Sequence, residues 1–157
     1  MTPEETIDLL NELIQICKEG EEGYATAAGN IRNSELETMF RGYARKRADF
    51  VHQLQQEVER LGGKPSDSGG LGAAMRRRWL NLTSALSGSN PGAIIAACES
   101  GEDHTLVAYD RAANTTDVTG KTRALIDKQF QQVKETHIRL DRLKEEIKDG
   151  TRFPVNE

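Results

Sequence analysis

The chain has 157 residues, 36% of them hydrophobic and 29% charged, which fits one helix-rich domain with a core of its own. Its net charge of −4, with both signs interspersed, argues against general binding to nucleic acid, because neutralising phosphates takes a basic face. No run of about 18 apolar residues occurs, and "MTPEETIDLL" has no basic segment ahead of an apolar one, so a cytoplasmic protein without a membrane span or leader is expected.

The first predicted helix opens at Thr2 as N-cap, with Pro3 at the first helical position and Glu5 completing a capping box. Its inward stripe reads Ile7, Leu10, Ile14, Cys17, Glu21, Tyr24, Ala28 and Ile31, alternating spacings of three and four. A short turn at "IRNSELE" offers Ser34 as the next N-cap, with Glu37 reaching back to it. The second helix carries Leu36, Phe40, Tyr43, Arg47, Phe50, Leu54, Val58 and Leu61 inward, and "GGKP" ends it, because glycine accepts a left-handed C-cap.

Residues 62–90 form a connection too long for a turn. Leu71, Met75, Trp79, Leu82 and Leu86 recur within it at helical spacing, and a helix of about fifteen residues would span roughly 20 Å at 1.5 Å per residue. The third long helix starts at Asn90–Pro91 with the stripe Ile95, Cys98, Glu102, Leu106, Tyr109 and Ala113. After "NTTDVTGK", a fourth shows Ile126, Phe130, Val133, His137, Leu140, Lys144 and Ile147, with Gly150 as its C-cap and residues 151–157 as an irregular tail.

Two antiparallel hairpins joined by one long crossover with its own short helix make an all-α, ferritin-like four-helix bundle over residues 1–150. The segments "TIDLLNELIQICKEGEEGYATAA", "SELETMFRGYARKRADF", the "GGKPSDSG…RRRWLNLTSALSG" crossover and "CESGEDHTLVAYD" occur in order with matching gaps. In these the chain, over nearly all of residues 3–146, resembles a bacterial ferritin-like family of unknown function. The resemblance implies a fold and carries no activity across.

Each stripe is interrupted by an ionisable residue, Glu21, Arg47, Glu102 and His137, and the fourth again by Lys144. Helical phase turns all four inward, which predicts one buried ionic layer, with Glu21 facing Arg47 across the first hairpin and Glu99 closer in height than Glu102 to His137. Di-iron carboxylate bundles need Glu-x-x-His pairs on two helices. Here that set is incomplete, since Lys134 precedes His137 at the required spacing and Arg47 is a permanent cation in the middle.

Two readings of the layer follow. In one it is a charge-balanced network that sets helix register, because a buried charge needs a partner. In the other, Glu21, Glu99, Glu102, His137 and Asp141 hold a single iron, manganese or zinc ion, giving a metal-handling protein or metal-dependent oxidoreductase. A third reading is an adaptor that works as a homodimer or docks an acidic partner on Arg76, Arg77 and Arg78. The expected function is that of a small bundle protein linked to stress, with no established catalytic activity and the enzyme question open. Cys17 and Cys98 read as buried reduced thiols, and His52 and His104 as solvated.

Overall fold

A computed structural model describes residues 1–67, 78–88 and 90–148. Among these the chain is all-helical: α1 (Pro3–Asn30), α2 (Ser34–Arg60), α3 (Leu80–Ala85), α4 (Pro91–Ala113) and α5 (Gly120–Lys148). No described helix is long and apolar enough to cross a membrane. Leu71, Met75, Arg76, Arg77, Gly150 and the tail lie outside the described residues, and with them most of the expected crossover helix.

Local chemistry sets the helix ends. Thr2 and Glu5 exchange both capping-box bonds, at 3.1 Å and 2.9 Å. The cap of α2 is Asn33 and not Ser34. Asn33 is extended, and its side chain accepts from the Leu36 amide at 2.9 Å, while Glu37 turns away to pair with Arg41. Gly62, at φ 86°, closes α2 in the left-handed conformation, and the Gly63 amide reaches back to the Val58 carbonyl at 2.9 Å. Asn90 caps α4 ahead of Pro91. The Arg123 guanidinium donates to the carbonyls of Ala113, Thr115 and Val118 and so ties the α4–α5 turn to α5.

Residue pairings give each helix its direction. Gly20 and Tyr24 of α1 face Arg47 and Phe40 of α2, so these two helices run antiparallel. Glu12, Cys17 and Tyr24 face Arg111, Tyr109 and Glu102, which makes α4 antiparallel to α1 as well. Glu99 and Tyr109 of α4 face Lys144 and Gln129 of α5, and Gln53 and Glu57 of α2 face Gln129 and Thr122. The order is therefore up, down, down, up, with α2 and α4 parallel across the diagonal. The end of α2 and the start of α4 therefore lie at opposite ends of the bundle, and residues 62–90 are the return between them. Asn11 of α1 holds the start of this return, donating to the Lys64 carbonyl at 3.1 Å and accepting from the Ser66 amide at 2.8 Å.

The apolar interior falls into two clusters. One gathers Tyr24, Phe40, Trp79, Leu82, Ile94, Cys98 and Leu140, and the other Leu10, Ile14, Cys17, Phe50, Leu54, Tyr109 and Val133. Burial of this surface drives folding. Charged groups occupy the level between the clusters.

Candidate functional site

Arg47 and Glu102 form that level. Arg47 is 2% exposed and Glu102 0%. The guanidinium of α2 reaches across the diagonal to α4 and clasps the carboxylate with two bonds, Nη1 to Oε1 at 2.8 Å and Nη2 to Oε2 at 2.5 Å. Such a fork-to-fork pair is geometrically specific as well as strong. The Tyr24 hydroxyl donates to the same Oε1 at 2.8 Å. The rings of Tyr24 and Phe50 lie 5.5 Å and 5.6 Å from the guanidinium carbon, close enough for cation–π attraction. Burial opposes the Arg47 charge, yet Glu102 overcomes this and raises the guanidinium pKa. Burial, and then the Glu102 charge, lift the Tyr24 phenol well above its ordinary range.

The layer is narrower than its sequence signature. Glu21 is only partly buried and does not meet Arg47. Gly20 takes the inward position, and a Cβ there would lie 3.5 Å from Arg47 Nη1. Glu21 sits one residue round the helix, where partial burial raises its carboxyl pKa against the pull of Lys18. His137 is likewise displaced. Along α5 the inward line runs through Gln129, Thr136 and Leu143, each one residue before Phe130, His137 and Lys144. His137 Nε2 instead bonds Asp103 at 2.6 Å on the half-exposed flank.

The five residues expected to hold a metal are not brought together. Glu102 is committed to Arg47 and Tyr24, Glu99 to Lys144, and His137 to Asp103, while Asp141 is exposed with Lys144 at 3.9 Å. Among the described residues no group of three or more His, Cys, Asp or Glu could hold a metal ion. Of the arginine run only Arg78 is described, and it reaches inward to pair with buried Glu19 at 3.2 Å. His52 and His104 are exposed.

Sequence reasoning missed a second polar chain beneath the ion pair. The Tyr109 hydroxyl donates to Gln129 Oε1 at 2.6 Å, and Gln129 Nε2 donates to Gln53 Oε1 at 3.0 Å. Tyr109 has one proton to give, so Cys17 Sγ, 3.2 Å away, is the donor to it. One residue from each long helix is linked in this way. Gln129 is uncharged and polar, which hid it from an apolar count. Its place three residues after Ile126 and four before Val133 was the available signal.

Cys17 and Cys98 are buried free thiols. Burial pushes the Cys17 pKa up from 9.0 to about 11, against the pull of Arg47. A raised pKa in the fold means that its contribution is complete below pH 9 and lost as pH rises towards about 11. Denaturant midpoints measured across that window should fall, by about 3 kcal/mol at most from this thiol. Cys17→Ala should fall less steeply, and equal slopes would show that the thiol ionises freely in the native state.

The architecture and its ion-paired interior define the class: an all-helical bundle with a charged layer in its core. The model of the family described as "Domain of unknown function (DUF2383)" matches residues 5–115, from α1 to just past α4, and the chain belongs to that family. No curated protein matches it.

Proposed function

We propose that residues 1–150 form one ferritin-like bundle whose interior is closed by a salt bridge, and that the protein acts through its surface as a binding or scaffolding module and not as a metal enzyme. The up, down, down, up order with one long return supports the ferritin-like reading. One observation carries the functional reading: the guanidinium of Arg47 lies in the bundle interior with its carboxylate partner already doubly engaged. In metal-carboxylate bundles, facing side chains in the core surround cations. Here the cation is part of the chain, and it would repel a second one at the same place.

The test is metal analysis of protein purified without chelators from cells supplied with iron, manganese and zinc. The expected result is well under one ion per chain, unchanged by Glu102→Gln. One ion per chain that disappears in Glu102→Gln or His137→Ala would overturn the reading.

A further inference from the structure

The α2–α5 seam is closed at one end and open at the other. Near the α4–α5 turn, Glu57 bonds Thr122 and Gln53 bonds Gln129. Towards the opposite end the two helices leave a groove of about 370 Å³ lined by Tyr43, Lys46, Gln132, Thr136, Arg139 and Arg142, with Glu135 and Ile138 also on its walls. Lys46, Arg139 and Arg142 are exposed, and none forms an ion pair among the described residues. Of the nearby carboxylates, Asp141 lies beside Lys144, and Glu135, on the groove wall one helical turn from Arg139, offsets part of the positive charge. Ile138 is 56% exposed, one of few large apolar side chains so placed among the described residues. The groove thus sets three cations against one carboxylate, with an amide, two hydroxyls and an apolar contact, a local excess of positive charge in a chain of net charge −4.

We infer that this groove docks an acidic segment of a partner protein, in which carboxylates flank an apolar side chain that meets Ile138 and Tyr43. The inference deepens the proposed binding role and rests on it. Charge complementarity selects the partner, because opposite local potential steers and orients association. A nucleic acid fits less well. Its phosphates would meet only three cations in a short groove, while the negative remainder of the molecule repels a long polyanion. A second copy docked groove to groove would set like charges against each other.

The experiment measures fluorescence anisotropy of a short fluorescein-labelled peptide of alternating Glu and Leu, titrated with the full chain at low salt. Binding is expected, weakening as salt rises. The pair Arg139→Glu with Arg142→Glu should weaken it about tenfold or more, roughly 1.4 kcal/mol. Lys128→Glu, on the same helix outside the groove, should change it little. Unchanged denaturant midpoints establish that the variants fold. Absence of binding by the wild-type chain, or equal weakening by Lys128→Glu, overturns the inference. So does groove-dependent binding of single-stranded DNA or phosphatidylserine vesicles in place of the peptide. Stoichiometric metal in the interior would sink the preceding reading without moving this result, so the two fail separately.

Discussion

Glu102→Ala is expected to destabilise the protein by about 3–5 kcal/mol in urea denaturation, because it strands a buried cation. Arg47 is 2% exposed and cannot shed its proton, so the unpaired charge stays in the core. Tyr24 loses its acceptor in the same step. Against a typical total of about 5–15 kcal/mol, this is a large fraction of stability. Arg47→Met strands the carboxylate in its turn and should also be destabilising. A Glu102→Ala variant within 1 kcal/mol of wild type would mean that solvent reaches the guanidinium.

Trp79 is the second place where one change should have a large effect. Its indole is 2% exposed and lies against two glycines, Gly23 of α1 and Gly101 of α4. A Cβ on Gly23 would fall 2.7 Å from the ring, and one on Gly101 closer still. The ring also packs edge-to-face on Tyr24 at 5.0 Å between centroids. The crossover is thereby wedged between the two helices that carry Tyr24 and Glu102. Trp79→Ala should cost about 3–5 kcal/mol through the cavity it leaves, and Gly101→Ala about 1–3 kcal/mol through overpacking. The sign of the second effect should reverse in a Trp79→Leu background. There the clash is relieved, and alanine's better helix propensity, about 1 kcal/mol over glycine, remains. A Gly101→Ala cost that persists without the indole would place its origin elsewhere.

What the sequence could disclose depended on how local each signal was. The caps at Thr2 and Asn90 and the glycine stop after α2 are short-range chemistry, and all three are present. The Asn33 cap was misplaced by one residue because Asn33 and Ser34 are both competent and adjacent. Arg47 and Glu102 were legible because an ionisable group at a seam position is conspicuous. Their pairing with each other was not, since it crosses the diagonal and depends on how four helices meet. Glu21 and His137 failed for one shared reason. A seam of alternating threes and fours leaves two neighbouring residues competing for each inward position, and Gly20 and Thr136, which took those places, add nothing to an apolar count. Glu19 gave no signal at all, because its partner Arg78 lies in the crossover.

A double-mutant cycle in denaturant tests most directly whether Arg47 and Glu102 form a closed pair inside the bundle. With Arg47→Met, Glu102→Met and the double variant, a closed pair predicts a double variant far more stable than the two single losses added together, with a coupling of several kcal/mol, as for a buried ion pair replaced by apolar side chains. Losses that add to within about 0.5 kcal/mol would show that the two residues do not interact, and would contradict it.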